Sequence, residues 1–256
     1  MSIEIKKYLL EKGLDEGSYP EVLYKYRTIE QLEMILDNHS FWFASPNTFN
    51  DPFDCSLSEV DYYELEDARI HFLSLDIEER HVSKSIEMFR QEPLKLKELV
   101  NTVKEKNINK KGILSLSSCH DDILMWSHYA DYHQGAVIGL EVRKDVEFFL
   151  MPIKIDYRDT YEVLNYLKDP KKATIDTLKV KSSEWSYEKE IRIYKDSSGL
   201  YAVNPEAIKE IRFGVKTSEN IIKKIKDICA KKGLGHISFY RAKKMHGQFA
   251  VEFEIA

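Results

Sequence analysis

A chain of 256 residues, 43% apolar and 12% aromatic, is long enough to bury a sizeable core, which excludes a disordered or low-complexity protein. With 38 basic against 43 acidic residues the formal net charge is -5, so no overall attraction to nucleic acid or anionic membrane is built in. Cys55, Cys119 and Cys229 lack any C-x-x-C spacing, and no apolar run reaches the roughly 18 residues of a membrane helix, so a disulfide framework, a zinc ribbon and a membrane span are all disfavoured. A reducing, cytoplasmic setting without a membrane partner is expected.

Val22–Tyr26 is β-branched and aromatic and predicts a strand. Thr28 stands three residues before Gln31, the spacing of a capping box, so a helix is expected from there, with Ile29, Leu32, Ile35 and Leu36 on one face. Phe41-Trp42-Phe43 predicts a second strand, and the turn formers of Ser45–Asp54 predict a loop. From about 61 to 111 the sequence is charged, free of glycine through Lys111, and helically spaced at Ile70, Leu73, Ile77 and at Leu94, Leu96, Leu99, Val103; it predicts a helical insertion. Strands are expected at Gly112–Ser117, Gly135–Val142, Ile153–Tyr157, Tyr187–Tyr194, Ile208–Val215 and Ile237–Tyr240. Helices are expected at Asp122–Tyr132, near Thr174–Lys181 and at Ser218–Lys232. Phe249, Val251, Phe253 and Ile255 alternate with polar residues as in a half-buried closing strand. These elements predict one α+β domain over residues 1–256, with a mixed, mainly antiparallel sheet.

If Tyr187–Tyr194 is a strand, its period of two places Glu188, Glu190 and Arg192 on one face and Ile191 and Ile193 on the other. A solvent-facing strand with an ion pair accounts for these residues. So does a site in which two carboxylates with separated pKa values divide the roles of stabilising a cation and orienting a hydroxyl. In DDILMWSHYADYH (Asp121–His133), Trp126, Tyr129 and Ala130 have the spacing of core packing, while His128 suits a hydrogen bond to a ligand or carboxylate. His128 and His133 are five residues apart and His120 eight residues from His128, which is poor ligand spacing, so no metal is expected. Asn50-Asp51 fits an Asx turn, and Arg27, ending an apolar strand, suits a carboxylate or phosphate. No dinucleotide, P-loop or hydrolase-elbow fingerprint is present.

With LYKYR (Leu23–Arg27), FNDPFD (Phe49–Asp54), the Ser-x-Ser strand (Ser115–Ser117), MWSHYA (Met125–Ala130) followed by Gly135, and W-x-x-E-x-E-x-R (Trp185–Arg192), the chain resembles a bacterial family of domains of unknown function from about residue 20 to 215. More distantly, the order of Arg27, the Ser-x-Ser strand and the Glu-x-Glu segment resembles the Arg-Ser-Glu arrangement of ADP-ribosyltransferases. That resemblance implies NAD as a substrate, Arg27 holding its phosphate or ribose, Ser117 supporting the pocket and Glu190 stabilising the oxocarbenium-like ribosyl centre. It further implies Glu188 orienting an acceptor, protein or nucleic acid, and Trp126 or Tyr129 stacking on nicotinamide; MWSHYA is not part of that pattern. The leading expectation is therefore an ADP-ribosyltransferase-like enzyme, in the role of a toxin or phage-defence effector, that binds a nucleotide-like small molecule. A non-catalytic ligand-binding or protein-interaction module is the alternative. A metal-dependent nuclease using Asp51, Asp54, Glu188 and Glu190 is a third, weakened because Arg192 stands where an E-x-K motif would have lysine.

Overall fold

Helix α1 (Ile3–Asp15) starts from an N-cap at Ser2, and strand β1 (Val22–Arg27) leads into α2 (Ile29–Asn38) and β2 (Ser40–Phe43). The Thr28 hydroxyl and the Gln31 side chain cap α2 reciprocally, as their spacing predicts. Helices α3 (Leu65–Ser74), α4 (Glu79–Gln91) and α5 (Pro93–Asn109) precede β3 (Gly112–Ser117), α6 (Ile123–Tyr129) and β4 (Ala136–Glu141). Then come β5 (Ile153–Lys154), β6 (Asp156–Arg158), α7 (Pro170–Lys179), β7 (Val180–Ser182), β8 (Glu190–Lys195) and β9 (Gly199–Ala202). The chain ends with β10 (Ile208–Phe213), α8 (Glu219–Lys231), β11 (Ser238–Lys244) and β12 (Val251–Ile255). This computed structural model describes residues 1–256, and the fold is α+β.

Two compact units divide the chain: the first comprises Met1–Phe43, Ile113–Ile155 and Trp185–Ala256, the second Ala44–Gly112 and Asp156–Glu184. The first unit is built on an eight-stranded sheet of order β12-β11-β10-β4-β1-β3-β8-β5, with β2 and β9 paired separately. Of the sheet's defined pairings, β10 with β11 is parallel, bridged by α8, and those of β1 with β3 and β4, β4 with β10, β5 with β8 and β11 with β12 are antiparallel. One sheet face buries Leu23, Leu114, Leu116, Ala136, Ile138, Leu140, Ile191 and Ile193 in the main core. The other carries Tyr26 and Val137 against Met125, Trp126 and Ala130 of the α6 segment. The second unit gathers Leu57, Tyr63, Phe89, Leu96, Val100, Leu164 and Tyr166 into its own core, beside the parallel pair β6-β7.

Several predicted boundaries move, each for a local reason. The helix expected to reach Tyr132 ends at Tyr129, because Asp131, Tyr132 and His133 all take left-handed backbone (φ 48°, 50° and 70°). Helix α7 begins at Pro170, not near Thr174: Pro170 occupies the first turn and Asp169 accepts from the Lys172 amide. Ile153–Tyr157 splits into β5 and β6, which pair with different partners. Phe249 is 98% exposed and outside β12, and Ile255 is 86% exposed, because β12 is the sheet's edge and only Val251 and Phe253 pack inward. No helix is long and apolar enough to cross a membrane.

Candidate functional site

The segment expected as one strand from Tyr187 is in fact two structures. Ser183–Glu188 forms a 3-10 turn, Lys189 adopts left-handed backbone (φ 45°), and β8 starts only at Glu190. Glu188 therefore does not share the strand's period of two, and the three-residue charged face reduces to Glu190 and Arg192. Nor is that face solvated: Glu190 is 5% and Arg192 0% exposed, with Ile191 and Ile193 equally buried on the opposite side. Arg192 donates from Nε to Glu190 Oε1 at 2.7 Å and from Nη2 to Oε2 at 3.0 Å. In a dry interior such a fork neutralises both groups, and leaving either alone costs far more than the pair contributes.

Glu188 lies at the centre of a second hydrogen-bonded group. Its Oε1 accepts from the Tyr129 phenol at 2.6 Å, and its backbone carbonyl accepts from Ser117 Oγ at 2.6 Å. Ser117 Oγ also accepts from the Cys119 amide at 3.0 Å, so this buried hydroxyl ties the end of β3 to the turn that carries Glu188. Beside it, Tyr187 Oη and His128 Nδ1 stand 3.1 Å apart. Helix α6 brings His128 and Tyr129 here because Asp122 caps its first turn, accepting from the Leu124 and Met125 amides. Gly135 closes the turn after α6; a Cβ there would lie 2.3 Å from the Arg27 carbonyl oxygen, so no other residue fits.

Of the sequence-predicted residues, Ser117 and Tyr129 thus meet at Glu188 and His128 beside it at Tyr187, with Glu190 and Arg192 following on β8. Arg27 does not join them. It leaves β1 on the side of Leu23 and opposite Ala136, both main-core residues, whereas Tyr24 pairs with Ser117 on the other face. Its Nη1 donates to the Tyr26 carbonyl at 3.3 Å, and burial lowers its pKa to about 10, which leaves it cationic at neutral pH. Trp126 offers no open ring for stacking: it is fully buried among Tyr26, His133 and Phe253, with Nε1 bonded to the His120 carbonyl at 2.9 Å. Asn50 and Asp51 belong to the second unit; Asn50 is exposed, while Asp51 is buried and accepts from the Phe53 amide at 2.9 Å in the predicted Asx turn.

A polar row outside the sequence-predicted residues crosses the same sheet face. Glu210 on β10 is level with Gly139 on β4, which is level with Tyr24 on β1. Gly139 has no side chain to block Glu210, where a Cβ would come within 2.6 Å of its Cγ, and Glu210 reaches the Tyr24 phenol. Burial, then the charge of Glu210, push the Tyr24 pKa up to about 12. Arg212 closes a fork on Glu210 (2.8 and 3.1 Å) and lies between the rings of Tyr240 and Phe253, 4.5 and 4.8 Å from their centroids. His120 meets Tyr24 edge-on at 4.9 Å, and its buried Nδ1 makes no hydrogen bond. Burial, then the charge of Arg212, lower the His120 pKa. The signal available in the sequence was the repeated tripeptide Glu-Ile-Arg at 190–192 and 210–212.

No curated protein and no solved structure matches the chain. Residues 125–193, from MWSHYA through the Glu190–Arg192 fork, match the model of a family described as protein of unknown function (DUF2971).

Proposed function

We propose that the first unit binds a nucleotide-like small molecule at Glu188 and acts on NAD as an ADP-ribosyltransferase-like enzyme, with Glu188 in the role that the resemblance gave to Glu190. The observation that carries this is the dual anchoring of Glu188: Ser117 holds its backbone and Tyr129 its carboxylate. Ser117 on β3 thereby holds the turn that presents the Glu188 carboxylate, in keeping with the pocket-supporting role the resemblance implies for it. A fixed anion stabilises positive charge that develops at a ribosyl carbon without paying to reorganise. In that step the bond from ribose to the nicotinamide nitrogen breaks and its electron pair neutralises the pyridinium ring. The acceptor nucleophile then forms the new bond and loses its proton. Glu190, neutralised by Arg192, serves as the rigid floor of the site.

One observation favours the second reading, a ligand-binding module without chemistry: Arg27 leaves β1 on the other face, so the Arg-Ser-Glu trio does not assemble as the resemblance implies. The nuclease reading gains no support, since no three His, Cys, Asp or Glu residues gather as metal ligands would. Calorimetric titration with NAD, and label transfer from NAD in cell extracts, separate the two remaining readings. Binding and turnover are expected, with turnover down about 100-fold or more in Glu188→Gln. Binding without turnover in any extract leaves the module; the absence of both means that NAD is not its ligand.

A further inference from the structure

The second unit carries an open cavity of about 630 Å³, lined entirely by its own residues, between the FNDPFD loop and α5. That volume is in the range of small-molecule sites. Its walls are charged, and the charges nearly cancel in pairs. Lys104 Nζ lies 2.8 Å from Glu59 Oε1 and donates to the Leu57 carbonyl at 2.7 Å, both side chains being buried. Lys181 Nζ lies 3.4 Å from Asp54 Oδ2, again with both buried. At the exposed rim Lys97 pairs with Asp61 at 2.8 Å.

Asp51 breaks the pattern. It lines the cavity, is 9% exposed, and its Oδ1 accepts from the Phe53 amide, yet no lysine, arginine or histidine pairs with it. The two other buried carboxylates of the cavity each have a lysine. Glu105, exposed on α5, lines the same cavity and also has no cation partner. Burying a carboxylate without a countercharge is costly, and a cation delivered into the cavity removes that cost. We infer that this cavity binds a small organic cation, an ammonium or guanidinium compound, whose charge completes a third buried ion pair at Asp51, with Glu105 adding attraction at the entrance. Arginine and lysine side-chain analogues and polyamines share that chemistry, and the amides of Asn101 and the hydroxyl of Ser56 offer further hydrogen bonds to N–H groups.

Calorimetry on the full chain with arginine amide, spermidine and the neutral isostere citrulline amide, both amides carrying an acetylated α-amino group so that only the guanidinium distinguishes them, tests the inference. Saturable binding of arginine amide or spermidine is expected, with citrulline amide weaker by about tenfold or more. Asp51→Asn keeps an oxygen for the Phe53 amide while removing the charge, and should weaken cation binding about tenfold or more, against a few-fold for Glu105→Gln. A thermal melt establishes that Asp51→Asn is folded; if it is not, the comparison of arginine with citrulline amide in the unsubstituted chain decides. The inference is overturned if neither cation binds, if citrulline amide binds equally well, if inorganic phosphate binds instead, or if folded Asp51→Asn binds cations unchanged.

Discussion

The tripeptide Glu-Ile-Arg occurs twice in one sheet, on β8 at 190–192 and on β10 at 210–212, and both copies close into the same two-bond fork. Local code explains the likeness: a strand's period of two puts Glu and Arg on one face within reach of each other. Surroundings explain the difference. The Arg192 side chain is wholly buried, whereas that of Arg212 is 13% exposed, stacked against two aromatic rings, and paired with a Glu210 that also engages Tyr24. One fork is locked in the buried start of β8, directly after the turn that carries Glu188; the other forms part of a polar row near His120. The same three residues thus serve rigidity in one strand and a graded polar surface in the other.

Removing the two arginines should break the likeness. Arg192→Leu leaves a buried carboxylate without its partner and should cost about 3–5 kcal/mol in denaturant unfolding. Arg212→Leu should cost about 1–3 kcal/mol, since Glu210 retains some solvent and Tyr24, and the lost stacking is modest. Equal costs would mean that burial does not distinguish the forks. Next in size is Gly139→Ala, whose methyl collides with Glu210 and should cost about 1–3 kcal/mol. In a Glu210→Ala background the same substitution should cost clearly less; an unchanged cost would mean that the tight contact is not what requires glycine there. The smallest effect is pH-dependent. Burial and Arg212 hold the His120 pKa below its ordinary 6.5, against the weaker opposing pull of Asp121 and Glu210. The unfolded chain therefore takes up a proton that the folded one refuses. His120's contribution is complete above about pH 6.5 and is lost as pH falls below it. His120→Asn should flatten that acid limb, measured as the denaturant midpoint against pH.

Much of the architecture was legible because it rests on local rules. The Thr28–Gln31 capping box, the apolar face of α2, the strands flanking α8 and the α+β class all follow from spacing. The site was legible only in part. Ser117 and Tyr129 meet Glu188 through long-range contacts, and a single left-handed residue, Lys189, detaches Glu188 from the strand its sequence suggests. Nothing in the motif Trp-x-x-Glu-x-Glu-x-Arg distinguishes a carboxylate fixed by a phenol from one closed by arginine. Which face of β1 carries Arg27 depends on where Leu23 packs, a tertiary fact. Tyr24, Gly139 and Glu210 come from three separated segments that only the sheet order aligns.

The proposed function makes Glu188, not Glu190, the carboxylate that acts. Its most direct test is nicotinamide release from NAD by the unsubstituted chain, Glu188→Gln and Glu190→Gln, each assayed under conditions where melting shows it folded. Release by the unsubstituted chain is expected, with a loss of about 100-fold or more in Glu188→Gln and a much smaller loss in folded Glu190→Gln, whose deficit is mainly stability. Full activity in Glu188→Gln together with its loss in folded Glu190→Gln would contradict it.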